Sequence, residues 1–582
     1  VGGSGTPYQL TTCPWCGLPL SLNQIDVKTF AAGRGRTLQY CSDQLGDCPF
    51  SKLHSEAEGI PIVVVDEEIY RRLPTLVIAT VDKFAQMPWK GETQMLFGRV
   101  TGICDRHGYI SPDMPDQCHV HRAKGKLPPT KRRVVPNLRP PDLIIQDELH
   151  LINGPLGTMV GLYETAVDAL CHWQTADGKQ VAPKIVASTA TVRRAKEQIN
   201  AVFAREVNIF PPPALDADDN FFSKRTPSSD DAPGRLYVGI CAPGTTRTGT
   251  LIAIYTAYMA AAQIMYAEHA AAADPWMTTV GYFNALRELG SMRRAVEDSV
   301  RSRLERRDDA GRRYVNFQNV EELTSRKSAE DIPKILDRLE NQFVRDENGR
   351  YPEGKVPLDV VLATNMISVG VDVDRLGLMI AAGQPKATAE YIQATSRVGR
   401  KFPGVVGTVY SWARPRDLSH YERFEHYHAT FYRQVEALSV TPFAARALDK
   451  GLSGVLTALV RLLDTPFNHN HGAGEFDKNH PLVQQARALL KERARQVTGD
   501  EDAVTYVDKA VTARLDKWSK ETQQTSARLG YRMQKDGQTI GLLKDPIEDS
   551  YAIFTVLNSM RDVEAMAGLV LRDKAAQDDG EI

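Results

Sequence analysis

Two groups of residues in this sequence have the types and spacing for chemistry. The first is Asp142-Leu-Ile-Ile-Gln-Asp147-Glu148-Leu149-His150, where an apolar run preceded by Pro140 and Pro141 delivers two adjacent carboxylates. In phosphoryl transfer from a nucleotide, one such carboxylate can hold Mg2+ and the other can orient or deprotonate the attacking water. The second group is cysteine. Cys13-Pro-Trp-Cys16, Cys41 and Cys48 give C-x2-C, a gap of 24 residues and C-x6-C, and four sulfurs suit tetrahedral Zn2+. Two disulfides are the alternative, but an intracellular nucleotide enzyme keeps its thiols reduced. Cys104, His107, Cys118 and His121 offer a second set, with His119 an alternative ligand. The Pro- and Asp-rich segment between them has little to form a core, and a bound metal would order it. Cys171 and Cys241 stand in apolar contexts and read as inert core residues.

These residues need elements to place them. An apolar, β-branched run bounded by Pro reads as a buried strand of a parallel sheet, and ligands of such sheets sit at the carboxyl ends of strands, where Asp147 and Glu148 emerge. Ile185 to Ala187 reads as a second strand, ending in Ser188-Thr-Ala-Thr191. Earlier, Ile62 to Val65 and Leu76 to Ala79 read as strands, the latter leading into Thr80-Val-Asp82-Lys83-Phe84. A helix start there favours an anion; Thr-x-Asp-Lys is equally an ordinary N-cap. After a Pro-, Asp- and Ser-rich stretch, strands and helices alternate from Arg235 to Ser411, which predicts a doubly wound parallel core. From Asp417 onward the pattern is helical. Tyr421, Phe424, Tyr427 and Phe431 recur at helical spacing and read as core rather than as a base-stacking platform.

The chain has 582 residues, which predicts several domains. The expected division is a zinc-ribbon-like module over 1–60 and the remainder of a first α/β domain over 61–210. A linker follows over 211–234, then a second α/β domain over 235–415 and a helical region over 416–582. The second Cys/His cluster and a basic loop fall at 99–139. Net charge is −1, so local clusters decide any nucleic-acid contact. Arg122, Lys124, Lys126, Lys131, Arg132, Arg133 and Arg139 form a run without acids, either a phosphate-contact surface or a plain loop. Arg293 to Arg313 is interleaved with acids and reads as a salt-bridged helix face. No run of about 18 apolar residues suggests a membrane span, and Leu251 to Ala273 reads as a core helix. No secretory signal is evident, which predicts a cytoplasmic protein without a membrane partner.

Four segments in order, Asp147-Glu148-Leu149-His150, Ser188-Thr-Ala-Thr191, Ala363 to Asp372 and Gln393-Ala-Thr-Ser-Arg397-Val-Gly-Arg400, resemble motifs II, III, V and VI of the superfamily 2 helicases. With Gln146 to Thr158, Tyr8 to Gly17, Glu322 to Arg326 and Tyr391 to Arg400, the chain over about residues 6–415 looks like the helicase subunit of the bacterial DISARM anti-phage system. The resemblance implies tandem RecA-like domains clamping ATP, the first incomplete at its N-terminus, with zinc-binding insertions. It implies Asp147 on Mg2+, Glu148 on the hydrolytic water, and His150 coupling to Thr189 and Thr191. Arg397 and Arg400, three apart and on one face if the helix continues through them, would meet the γ-phosphate. Gln393, Gly370 and Asp372 would belong to the nucleotide site. Thr80, Lys83, Arg287, Thr324, Ser325 and Thr364 resemble nucleic-acid contacts that carry no base information. The implied partners are DNA, single-stranded or with single-stranded ends, and a second DISARM core subunit. One departure stands out: no G-x-x-x-x-G-K-[ST] occurs in the chain. A missing upstream part or a degenerate ATPase would each account for this, and the sequence as it stands is expected not to hydrolyse ATP alone. A nucleic-acid scaffold with a vestigial ATP site and an RNA remodelling ATPase are the alternatives.

Overall fold

The computed structural model describes residues 7–29, 35–114, 120–123, 128–189, 194–212, 215–216, 219, 221–222, 224, 226–306, 315–328, 331–347, 349–368, 372–436, 439–534, 537–547 and 552–563. The chain divides into two compact units, Val1–Thr189 with Arg194–Val207 and Leu438–Ile582, and Ala190–Arg193 with Asn208–Ala437.

In the first unit the expected strands at 143–145 and 185–187 are present as β1 (Leu143–Gln146) and β2 (Lys184–Ala187), paired in parallel with Ile144 opposite Ile185. One face of the pair packs inward through Ile144 and Ile185. The other leaves Leu143, Ile145 and Val186 at 51%, 62% and 47% exposure. Helix α1 (Gly154–Cys171) follows β1 and α2 (Ala195–Phe203) follows β2. The strands expected at 62–65 and 76–79 do not form. An isolated extended run has no ladder to satisfy its amides, and Ile78 is 88% exposed there.

The second unit has six parallel strands: β3 (Arg235–Cys241), β4 (Thr279–Phe283), β5 (Val320–Leu323), β6 (Val360–Ala363), β7 (Leu378–Ala382) and β8 (Gly404–Tyr410). Their spatial order is β3-β8-β7-β4-β6-β5. This is the doubly wound parallel core expected from the alternation, and it fits the RecA-type domain that the resemblance implies. The central strands β6 and β7 are covered on both faces and apolar throughout. Val360 and Leu362 join one core with Tyr255, Met259 and Met292, while Val361 and Ala363 join the other with Ile335 and Leu339. Helix α3 (Arg247–His269) lies on the first of these cores and α4 (Leu286–Ala295) follows β4. Among the described residues one helical stretch, Arg247–Met277, is long and apolar enough to cross a membrane; Leu251, Tyr255, Met259 and Ala260 on it are buried against the sheet. Helix α5 (Thr388–Thr395) precedes β8 and packs through Tyr391 and Ile392 on Tyr427 and Phe431, so these two aromatics are core.

The helices α6 (Ala445–Leu462), α7 (Pro481–Thr498) and α8 (Glu501–Thr525) were expected in a region of their own. They instead share one core with α1, where Leu452, Val455 and Leu459 meet Met159, Leu162 and Tyr163. Residues 416–437, expected in the same region, belong to the second unit.

Candidate functional site

The register of β1 and β2 puts Gln146 opposite Ala187, so Asp147 and Ser188 leave the sheet side by side. The Ser188 hydroxyl donates to Asp147 Oδ1, which also accepts the Glu148 amide at 2.9 Å. Glu148 sits in the left-handed region at φ 51° and ψ 49°, which costs a non-glycine residue on the order of 1 kcal/mol. The Leu149 amide donates to the Ser188 carbonyl at 2.8 Å, tying the turn to the end of β2. His150 is buried, with Nδ1 3.3 Å from Glu148 Oε2 and 3.4 Å from Thr189 Oγ1. One imidazole thus touches both the carboxylate of the first turn and the hydroxyl of the second. Thr191 lies outside the described residues. Sequence reasoning missed Gln198 on α2, a buried amide that donates to the Leu149 and Ile152 carbonyls at 3.3 and 2.8 Å and holds this turn from behind. Nothing local in the sequence marks it. The Ser188 contact, by contrast, was open to inference from two polar residues ending neighbouring parallel strands.

In the second unit the carboxyl ends of β4, β6 and β5 are neighbours, and Arg287, Thr364, Thr324 and Ser325 follow them. Arg287 is exposed and lines a cavity of about 290 Å3 with Arg247, Glu288 and Arg414. Glu288 bridges Arg247 at 2.8 Å and Arg414 at 3.1 Å. Ser325 is exposed and Thr364 half-buried. Thr324 differs from expectation: it is fully buried and its hydroxyl accepts the Arg326 amide at 3.4 Å. Thr80 precedes a short 3-10 helix, Val81–Gln86, without a side-chain cap, so neither its hydroxyl nor an N-cap bond is in use. Lys83 pairs with Asp66 at 2.5 Å.

The helix expected to run through Arg397 and Arg400 ends at Thr395. Gly399 at φ +71° turns the chain back toward β8, so the two arginines do not share a helix face. Gln393 is buried on α5 and Arg397 half-buried. Arg400 forms an ion pair with Asp372. Both residues precede strands, β8 and β7, and therefore lie at the amino edge of the sheet, opposite Thr324 and Thr364. Gly370 is outside the described residues.

Cys13, Cys16, Cys41 and Cys48 converge with all sulfurs within 4.8 Å. Cys13 and Cys48 are 4.0 Å apart and Cys16 and Cys41 3.4 Å, and all four are free thiols. Tetrahedral zinc with sulfur at about 2.3 Å requires sulfur–sulfur edges of about 3.8 Å, so the cluster is compatible with zinc. Gly17 at φ +75° closes the first knuckle, its amide donating to the Cys13 carbonyl at 2.9 Å. Burial pushes the Cys13 thiol up, while the amides of Cys16 and Trp15 pull it down, to about 7 on balance. In the second cluster Cys104, His107 and His121 come together, with Cys104 Sγ 3.8 Å from His107 Nδ1. Nε2 of His121 is buried without a hydrogen-bond partner, as a metal ligand would be. Cys118 and His119 fall outside the described residues. Of the basic loop, Arg133 pairs with Asp105 at 2.5 Å and Arg139 with Asp142 at 3.0 Å; Lys124 and Lys126 are not among the described residues.

Comparison with known proteins adds to this geometry. The helicase conserved C-terminal domain family matches residues 316–402. The DISARM protein DrmA of Bacillus paralicheniformis is 38% identical over 97% of this chain and 49% of its own length, so the chain spans about half of that relative. Among solved structures, the DUF1998 helicase MrfA bound to DNA and AMPPNP is 14% identical, covering 72% of this chain and 44% of that one at a TM-score of 0.41. The Mycobacterium smegmatis helicase Lhr bound to ssDNA and AMP-PNP is 15% identical, covering 63% and 38% at a TM-score of 0.38. Likenesses of this size leave the fold to be assigned from the six-stranded sheet and the family match. The chain carries a match to the helicase conserved C-terminal domain family over residues 316–402 and is similar to the DISARM protein DrmA along nearly all of this chain's own length.

Proposed function

We propose that this chain supplies the hydrolysis and backbone-binding elements of an ATP-driven DNA translocase or helicase acting in bacterial defence against phage DNA. The observation that carries this reading is the turn in which Asp147 is held by Ser188, while His150 lies within 3.3 Å of Glu148 and 3.4 Å of Thr189. In this reading Asp147 holds Mg2+, which when bound neutralises phosphate charge. Glu148 orients the attacking water, and His150 relays the state of that carboxylate to Thr189 and the segment through Thr191. Arg397 and Arg400 stabilise charge on the transferring phosphoryl group, an effect worth roughly 10³–10⁵ in rate in comparable NTPases. Gln393, Gly370 and Asp372 shape the nucleotide site. Arg287, Ser325 and Thr364, on one sheet edge, contact the sugar-phosphate backbone together with Thr80 and Lys83; Thr324 supports their loop from inside. Cys13, Cys16, Cys41 and Cys48 hold one zinc, and Cys104, His107 and His121 with Cys118 hold a second. A second DISARM core subunit is the protein partner.

The second reading is a nucleic-acid scaffold with a vestigial ATP site, which the absence of G-x-x-x-x-G-K-[ST] from the complete gene product would favour and an intact upstream phosphate loop would not. Anisotropy of labelled single-stranded DNA separates the two. In full-length protein carrying Glu148→Gln, ATP should shift DNA affinity several-fold; an affinity indifferent to nucleotide supports the scaffold.

A further inference from the structure

Four neighbouring strands of the second unit, β3, β8, β7 and β4, end at the cavity that Arg287 lines, and each contributes to it. Arg247 opens α3 after β3, Arg287 and Glu288 stand in the first turn of α4 after β4, and Arg414 follows β8. The Ala382 carbonyl at the end of β7 accepts a hydrogen bond from Arg247 Nη2. Carboxyl ends of parallel strands are where such sheets hold ligands. Arg397 and Arg400 lie at the other edge of the sheet, so this cavity is separate from the nucleotide site proposed above.

Its charges are arranged in depth. Glu288 holds Arg247 in a two-pronged bridge, Oε1 accepting from Nη1 at 2.8 Å and Oε2 from Nη2 at 3.1 Å, and Arg414 Nη2 donates to the same Oε1 at 3.1 Å. Burial pushes the Glu288 carboxyl up, but the two guanidiniums outweigh it and hold the group below its ordinary value, so it is ionised at neutral pH. One carboxylate thus fixes two arginines without neutralising both. With Arg287, the lining carries three positive charges and one negative. Arg247 is the deep member. Its side chain is 13% exposed, against 56% for Arg414, and its Nε is enclosed with no hydrogen-bond partner among the described residues. Trp412 flanks the cavity, half-exposed, its indole N–H donating to the Thr245 carbonyl at 3.1 Å. Trp412 stands two residues before Arg414, as Thr245 stands two before Arg247.

We propose that this cavity takes a phosphate monoester, the terminal phosphate of a nucleic-acid strand, with Trp412 placed to stack on the terminal base. A monoester carries about −1.5 to −2 near neutral pH, which matches the surplus of positive charge, whereas a phosphate inside a strand carries a single charge. A strand that passes through continues on both sides of each phosphate and lies along the rim, out of reach of Arg247; an end can enter. An exposed aromatic beside the phosphate suits any base, because every base has a face to stack. The proposal rests on the nucleic-acid contact read for Arg287 above and goes beyond it in requiring a free phosphate end. A free mononucleotide bears the same group, so the test separates the two sources.

Anisotropy of a short oligothymidylate, phosphorylated at its 5′ or 3′ end and labelled at the other, is compared on the whole chain with that of the same strand ending in hydroxyls, at fixed ionic strength. Phosphate at one of the ends should tighten binding about tenfold, the size of one charge-assisted hydrogen bond. Arg414→Ala, at the exposed rim, should remove that gain and leave the hydroxyl-ended strand little changed, which also shows that the variant is folded. Trp412→Ala should weaken the phosphorylated strand several-fold. Equal affinity for the two strands overturns the proposal, as does a loss in Arg414→Ala that is the same for both. Thymidine monophosphate that competes as well as the phosphorylated strand overturns the strand-end assignment and makes the free nucleotide the ligand. A chain that binds neither strand overturns the DNA contact as well, whereas equal binding of both overturns this proposal alone.

Discussion

Glu164 sits on the buried face of α1, less than one turn beyond Gly161, with one carboxylate oxygen lacking a hydrogen-bond partner. Burial pushes its carboxyl up from 4.5 to about 7, against the pull of Arg493. An acid raised on folding contributes stability that is fully present below its unfolded value and lost as pH climbs through its folded one. A rise of this size corresponds to about 3 kcal/mol at most. Thermal melts of Glu164→Gln should therefore match the parent near pH 5 and exceed it above about pH 7; a parent that is the more stable of the two at pH 8 would refute the assignment. At this scale the sequence was informative where chemistry is local. Adjacent carboxylates after an apolar run announced the Asp147–Glu148 turn, and C-x2-C announced the cysteine knuckle. It was uninformative where burial by distant strands decides, as at Thr324, whose hydroxyl is enclosed once β5 pairs with β6.

Helices and strands show the same division. The six-stranded sheet was legible because strands covered on both faces must be apolar throughout, as β4 and β6 are. The end of α5 was not, because nothing in Thr-Ser-Arg-Val-Gly-Arg distinguishes a helix that runs on from one that stops before a left-handed Gly399. The runs at 62–65 and 76–79 have strand composition without strand neighbours, and composition alone does not supply a ladder. Gly157 and Gly161 in α1 form a packing surface. Gly161→Ala would gain helix propensity, about 1 kcal/mol, but its Cβ would lie 2.8 Å from Pro442 and 3.0 Å from the Ala201 carbonyl. The clash with backbone wins, and the expected result is a loss of roughly 1–3 kcal/mol in denaturant melts. A variant more stable than the parent would show that residues 439–442 do not press on α1.

Within the first unit, the segment of the second Cys/His cluster and the C-terminal helices are bound together, which no periodicity revealed. Arg461 on α6 is fully buried and reaches Asp113, three residues past Ile110 in the second Cys/His module, at 3.0 Å. Its other groups donate to the Pro88 and Asn468 carbonyls at 2.9 Å each. Asn468 in turn donates to the Gly91 carbonyl at 2.8 Å, so the loop that carries it is a structural joint. Arg461→Met should cost about 3–5 kcal/mol, because Asp113 is left charged and enclosed. Adding Asp113→Asn should recover part of that loss in the same melts. A double variant no better than the single would place the energy in packing instead of charge.

The motor reading is tested most directly by steady-state ATP hydrolysis of full-length, zinc-loaded protein, with and without single-stranded DNA, beside Glu148→Gln. The account predicts hydrolysis that rises with DNA and falls about 10²–10⁴-fold in the variant, the range expected for loss of a positioned base. A folded protein whose hydrolysis is absent, or the same with DNA and in Glu148→Gln, would contradict it.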